Sequence, residues 1–202
     1  MAALKPLNLV KLFLGLYLYG WGIALMVQAA IGISPWDVFA QGMSKVMHIS
    51  YGEASIVVSL IVLLGWIPLR QKPGFGTLMN AVFIGIFADT VFPVLPHLTV
   101  YWQQLTMFVL GMLVLSVATG LYISSSLGMG PRDGLMVGTA RKTGWQVWWV
   151  RSGYELIVMG IGWAMGGQVR EGTLIFAVCI GFLMQTSLRM FGVKTHRPIE
   201  EA

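Results

Sequence analysis

The chain has 202 residues, of which 56% are hydrophobic and only 10% are charged, and its mean hydropathy is +0.76. This composition excludes an ordinary water-soluble domain and predicts an integral membrane protein whose first partner is the lipid bilayer. The formal charge of +5 does not indicate nucleic-acid binding, because the basic residues stand singly or in pairs beside apolar runs.

Six apolar runs follow one another along the chain, each close to the roughly 20 residues that cross a bilayer. Their predicted bounds are 12–31, 54–69, 77–95, 103–127, 146–165 and 173–191. The first run follows Lys5 and Lys11, as in a signal sequence, but it is too long for one and is expected to stay uncleaved. The runs predict an all-α, polytopic protein with six transmembrane helices.

Lysine and arginine are distributed unequally between the two sides that these spans define. With the N-terminus inside, the outside flanks hold only Lys45 and Arg170. The inside flanks hold Lys5, Lys11, Arg70, Lys72, Arg132, Arg141, Lys142, Arg151, Arg189, Lys194 and Arg197. Because cytoplasmic flanks carry the excess of positive charge, both termini are predicted to be cytoplasmic.

An internal repeat displaced by 96 residues runs through the chain. Gly32, Pro35, Asp37 and Gly42 recur as Gly128, Pro131, Asp133 and Gly138, and Gly-Thr-Leu at 76–78 recurs at 172–174. We therefore expect two three-helix repeats, 1–95 and 96–202, within one integral membrane domain. Because three is odd, the second copy is expected to enter the membrane from the opposite side. Such inverted repeats are typical of secondary transporters, although channels and some enzymes or scaffolds share them.

Both Gly-x-x-Pro-x-Asp segments have the pattern of a helix break followed by a helix start. Ser34 and Gly130 are the expected N-caps, with Asp37 and Asp133 in the first turns. At the membrane surface these segments would be ordinary caps, which is the commoner case. Within the bilayer, their free backbone donors would face a water-filled cavity and could bind an anionic group.

Polar side chains inside the predicted spans are the second group of candidate site residues. Asp89 is either a substrate or coupling group, or an interfacial carboxylate. Glu155 follows Arg151 by four residues, which favours a structural ion pair on one helical face. Asn80 and Gln185 are expected to hydrogen-bond between helices, and Gln185 occupies the repeat position of Asp89.

The sequence contains no pattern that indicates enzymatic chemistry. Its single cysteine, Cys179, lies in an apolar run, and its histidines lie in predicted loops or the C-terminal tail. No nucleophile elbow, phosphate-binding loop or metal-ligand spacing is present. We therefore expect no enzyme activity, no catalytic residue, no cofactor and no metal site.

The chain resembles the bacterial YczE/YyaS/YitT family of small multi-pass membrane proteins over nearly its full length. The resemblance rests on Gly-Ile-Ser-Pro-Trp-Asp at 32–37 and Gly-Met-Gly-Pro-Arg-Asp-Gly at 128–134. It implies a location in the bacterial inner membrane, and it carries over no settled substrate or functional residue.

Two functional hypotheses follow from these patterns. The first is a small secondary transporter or permease for a small solute, with Asp37 and Asp133 shaping the helix breaks. The alternative is a non-transporting subunit that regulates a partner membrane complex, or the substrate-binding component of a vitamin-type transporter. The sequence leaves the substrate, the coupling ion and the oligomeric state, including a homodimer, open.

Overall fold

The computed structural model describes residues 5–193, whose regular secondary structure consists of helices with no strand. The helices are α1 Pro6–Ala29, α2 Pro35–Met47, α3 Tyr51–Leu64, α4 Phe75–Val91, α5 Tyr101–Ser124, α6 Pro131–Thr143, α7 Val147–Ala164 and α8 Glu171–Met190. A 3-10 turn, Phe92–Val94, extends α4. The predicted all-α class is confirmed, while Lys194 and Arg197 of the charge count lie outside the described residues.

Four of the described helices are long and apolar enough to cross a membrane, namely α1, α4 with its 3-10 turn, α5 and α8. Helices α2 and α3 qualify only as a pair, which is bent by 115° at their junction. The six predicted spans are therefore not confirmed as six straight helices. Helices α3 and α7 account for the difference. The 14 residues of α3 reach about 21 Å in a bilayer core of about 30 Å, and the 18-residue α7 carries the charged pair Arg151 and Glu155.

Apolar side chains cover the outer face of α8. Leu174, Val178 and Phe182 follow one another at four-residue spacing and are 72%, 80% and 72% exposed, whereas Phe176 and Ile180 on the opposite face are buried. An apolar face of this size is unfavourable in water and favourable in hydrocarbon. The protein is accordingly a membrane protein with several apolar helices.

The order of helices repeats along the chain. Helices α6, α7 and α8 begin 96 residues after α2, α3 and α4, with Pro131 corresponding to Pro35. The sequence predicts three helices in each repeat, but the structure has four α-helices in each. The additional helix in each repeat is the short one that starts at the proline of the Gly-x-x-Pro-x-Asp segment.

The first helices of the two halves, α1 and α5, pack against each other in antiparallel directions. Gly15 contacts Tyr122, whereas Gly22, further along α1, contacts Leu115, which lies earlier on α5. A Cβ atom on either glycine would come within 3 Å of the partner helix, so glycine permits this close approach.

The other long helices pack in parallel with the first helix of their own half. Phe13 and Tyr17 of α1 meet Phe83 and Phe87 of α4, in the same order along both helices. In the second half, Phe108 and Gly120 of α5 meet Gly172 and Ser187 of α8, again in the same order.

Two equivalent contacts join the halves at the repeated motifs. The backbone N–H of Gly172 donates to the carbonyl of Ile31 at 2.7 Å, and that of Gly76 donates to the carbonyl of Leu127 at 2.8 Å. Gly32 has a φ of +119°, and a Cβ atom there would lie 2.7 Å from the backbone nitrogen of Thr173. The glycine before each proline and the Gly-Thr-Leu motif therefore recur together because they pack on each other.

Candidate functional site

A cavity of about 390 Å³ lies where the starts of α2 and α6 approach each other, and all eight α-helices contribute to its wall. Seven of the nine residues selected from the sequence line it: Ser34, Asn80, Gly130, Asp133, Arg151, Glu155 and Gln185. Asp37 hydrogen-bonds to the lining residue Ser34, and Asp89 lies elsewhere. The structure thus brings most of these residues, which are far apart in sequence, to one place.

The start of α2 has the predicted cap and is buried. Ser34 is the N-cap, its hydroxyl oxygen accepts a hydrogen bond from the backbone N–H of Asp37 at 3.3 Å, and Pro35 is the first helical residue. Asp37 is only 2% exposed. The segment is therefore buried within the protein, and its depth in the bilayer stays a prediction. In the second segment Gly130 is the N-cap of α6, and it also lines the cavity.

The carboxylate of Asp37 receives donors from three side chains, two of them on other helices. The Arg132 guanidinium lies 3.3 Å from Oδ1, the Tyr51 hydroxyl donates to the same oxygen at 3.0 Å, and the Ser34 hydroxyl donates to Oδ2. Arg132 also lies over the ring of Trp36, 5.4 Å from its centroid. These donors compensate the cost of burying the carboxylate, and the ion pair joins the short helices of the two halves.

Sequence reasoning missed Arg132 and Tyr51 as members of the site. Arg132 was counted as a charge at the cytoplasmic flank, but its side chain is only 20% exposed and pairs with Asp37. Its place within the repeated segment, at the repeat position of Trp36, was the available signal.

Asp133 is a cavity-lining carboxylate on α6. It is exposed there, and the Tyr122 hydroxyl donates to its Oδ2 at a long 3.4 Å. Among residues 5–193 Asp133 forms no ion pair. Its environment therefore differs from that of the equivalent residue Asp37.

Arg151 and Glu155 form the predicted ion pair on α7, with 2.8 Å between Nε and Oε1. The pair lies in the cavity wall, where Ser55 and Ser59 occupy the equivalent positions of the first half. The second half thus contributes charged groups to the cavity where the first contributes hydroxyls.

Asp89 forms a local contact away from the cavity. Its carboxylate accepts hydrogen bonds from the Ser50 hydroxyl and, at 2.8 Å, from the backbone N–H of Gly52 at the start of α3. These bonds join the end of α4 to the start of α3. A role for Asp89 in substrate binding or coupling stays a prediction.

Asn80 and Gln185 do not form the expected interhelical hydrogen bonds within the part of the chain that the structure describes. Both line the cavity instead. Gln185 is exposed, whereas Asp89, at the equivalent repeat position, is half-buried.

The two halves differ in how their last two helices pack. Helix α3 packs along α4, whereas the equivalent pair α7 and α8 has no comparable contact. Gly181 and Gln185 of α8 line the cavity and are exposed. The cavity is therefore open between α7 and α8, and the corresponding approach between α3 and α4 is closed.

Comparisons with known proteins agree with the resemblance inferred from the sequence. A family model described as "Family of unknown function (DUF6198)" matches residues 7–189. The chain is 37% identical to the uncharacterized membrane protein YczE of Bacillus subtilis over 179 residues, which cover 87% of this chain and 83% of the relative. It is 34% identical to an uncharacterized protein of Haemophilus influenzae over 190 residues, 94% of this chain and 87% of that protein. The uncharacterized protein YyaS of Bacillus subtilis is 25% identical over 176 residues, 85% and 87% of the two chains. No solved structure matches the chain.

Proposed function

The chain belongs to the DUF6198 family, and we propose that it is a small secondary transporter or permease of the bacterial inner membrane. The observation that carries this proposal is the polar cavity between the two halves, which is open between α7 and α8 and closed between the equivalent helices α3 and α4. An alternating-access transporter exchanges two such conformations, so that its cavity opens to one side of the membrane at a time.

The directions of the helices support an inverted arrangement of the halves. The equivalent helices α1 and α5 run antiparallel, while α1 and α4 run parallel. A chain whose α1 and α4 cross the membrane in the same direction must return between them, and α2 with α3 is the segment available for this return. The proposal therefore has six crossings, of which four are straight helices and two are broken.

Two equivalent sets of residues would form the gates. In the first half Asp89 joins Ser50 and Gly52 and holds α4 against α3. In the second half the equivalent residues are Gln185, Gln146 and Trp148, and no hydrogen bond joins Gln185 to the other two. With cytoplasmic termini, as the charge distribution predicts, the closed gate faces outward and the structure is the inward-facing state.

Labelling of a cavity cysteine from each side of the membrane tests this proposal without a known substrate. Cys179→Ser removes the single cysteine, and Ser55→Cys introduces one in the cavity wall at a buried position. A membrane-impermeant maleimide is applied to intact cells and to inside-out vesicles. Thr99→Cys and Lys72→Cys, on exposed loops at opposite ends of α4, calibrate labelling from each side.

Alternating access predicts labelling of Ser55→Cys from both sides, faster from the cytoplasmic side. A static subunit of a partner complex would be labelled from one side only, which would contradict the proposal. A pore is distinguished by adding Gln146→Cys and Gln185→Cys to Ser55→Cys, because this pair would form a disulfide only when the inner gate closes. Its oxidation should suppress labelling from the cytoplasm and accelerate labelling from outside, whereas a pore would show no such exchange.

A further inference from the structure

Formal charges in the cavity balance except for one carboxylate. Arg132 is paired with Asp37, and Arg151 is paired with Glu155. Among residues 5–193, the contact that Asp133 makes is the 3.4 Å hydrogen bond from Tyr122. When all these groups are ionised, the two arginines and three carboxylates leave one uncompensated negative charge, which is located at Asp133.

Aromatic rings stand beside this carboxylate. Tyr122, whose hydroxyl reaches Asp133, packs edge-on against Tyr19 with 6.2 Å between the ring centroids, and both rings line the cavity. Phe176 adds a further ring to the wall. A carboxylate attracts an organic cation, and aromatic side chains in the same wall pack favourably against its apolar part.

An anionic ligand, which the two helix starts suggested from the sequence, fits the observed cavity less well. At the start of α2 the backbone N–H of Asp37 already donates to the Ser34 hydroxyl, whereas the start of α6 has no side-chain cap. The positive charge of each arginine is already matched by a carboxylate. An added anion would also be repelled by Asp133.

We infer that the cavity binds a small organic cation, with a primary ammonium group of the solute contacting the carboxylate of Asp133. This inference rests on the proposed function, since it names the class of solute that the transporter would carry. A volume of about 390 Å³ accommodates a small organic molecule rather than a lone inorganic ion.

Three ligands of matched shape test the inference by isothermal titration calorimetry on the purified full-length protein in detergent. They are phenethylammonium, 3-phenylpropionate and phenylalanine, which present an ammonium group, a carboxylate, and both groups on similar carbon skeletons. We expect saturable binding of phenethylammonium, at least tenfold weaker binding of phenylalanine, and no binding of 3-phenylpropionate. Equal or tighter binding of either carboxylate-bearing ligand, or no binding of phenethylammonium, would overturn the inference.

Substitution of the carboxylate then locates the site. Asp133→Asn keeps the size of the side chain and should weaken phenethylammonium binding about 10- to 100-fold, as expected for a lost hydrogen bond to a charged group. The matched control is Glu171→Gln. The Glu171 carboxylate lies outside the cavity, 3.8 Å from the exposed Arg170 side chain. This variant should bind phenethylammonium with the affinity of the wild-type protein. Unchanged affinity in Asp133→Asn contradicts the assignment.

The three-ligand comparison on the wild-type protein decides the ligand class even if Asp133→Asn does not fold. Binding is also measured independently of alternating access. One-sided labelling of Ser55→Cys together with phenethylammonium binding would refute transport and leave the ligand site standing. Two-sided labelling of Ser55→Cys without phenethylammonium binding would support transport and refute the ligand site.

Discussion

The contact between Asp89 and the start of α3 gives the sharpest prediction about conformational exchange. In the observed state the carboxylate accepts from the Ser50 hydroxyl and the Gly52 backbone N–H. If these bonds exist only while the outer gate is closed, Asp89→Ala removes them from one state alone. The substitution should then shift the protein toward its outward-facing state.

The size of the shift follows from the two hydrogen bonds. Bonds to a charged acceptor contribute about 1.5–3 kcal/mol each, but Asp89 is only half-buried and Ser50 is exposed, so water competes for both. We therefore take about 1.5–3 kcal/mol for the pair, which corresponds to a shift of about 10- to 150-fold in the equilibrium. Helix α3 retains its capping box of Ser50 and Glu53, so the fold should survive the substitution.

The assay is the rate at which the impermeant maleimide labels Ser55→Cys from outside, in the Cys179→Ser background. Asp89→Ala should raise this rate by at least tenfold and lower the rate from the cytoplasmic side. Gln185→Ala is the matched control, because its side chain makes no hydrogen bond in the observed state; it should not raise the outside rate. Outside labelling of Asp89→Ala within twofold of the parent rate would refute the assignment of Asp89 to a gate.

Two further predictions concern stability, measured by thermal or denaturant unfolding in detergent. Asp37→Asn leaves Arg132 without its carboxylate partner and should lower the free energy of unfolding by about 2–4 kcal/mol. This is below the full range for a buried pair because the Arg132 side chain is 20% exposed. A decrease of less than about 0.5 kcal/mol would contradict the prediction. Gly32→Ala, at a φ of +119° and against the Thr173 backbone, should cost about 2 kcal/mol or more. A Cβ atom on Gly153, in α7, would have no neighbour within 4 Å among the described residues beyond its own turns of helix. Gly153→Ala should therefore raise the free energy of unfolding by up to about 1 kcal/mol.

Local features of the fold could be predicted from the sequence because their determinants are near neighbours. The cap formed by Ser34, the first-turn position of Asp37 and the pair of Arg151 with Glu155 depend on residues three or four positions apart. The repeat of helix order also followed from residue identities alone. The cap and the ion pair are confirmed in the structure, whereas the inverted arrangement of the two repeats stays a prediction.

Long-range partners were beyond the reach of the sequence. Arg132 and Asp37 are 95 residues apart, and nothing in a hydropathy profile distinguishes an arginine at a cytoplasmic flank from one that enters a cavity. The number of helices was missed for a related reason. Helices α2 and α6 have 13 residues each, and short helices between apolar runs resemble loops when only spanning length is considered.

The two halves share a pattern of helices but differ in chemistry, and the difference has a direction. The outer gate of the proposed transporter has the carboxylate of Asp89, while the inner gate has the amide of Gln185 at the same repeat position. Hydrogen bonds to a carboxylate are about twice as strong as those to a neutral acceptor. The outer gate should therefore be the more stable of the two, which agrees with the contact between α3 and α4 and with the opening between α7 and α8.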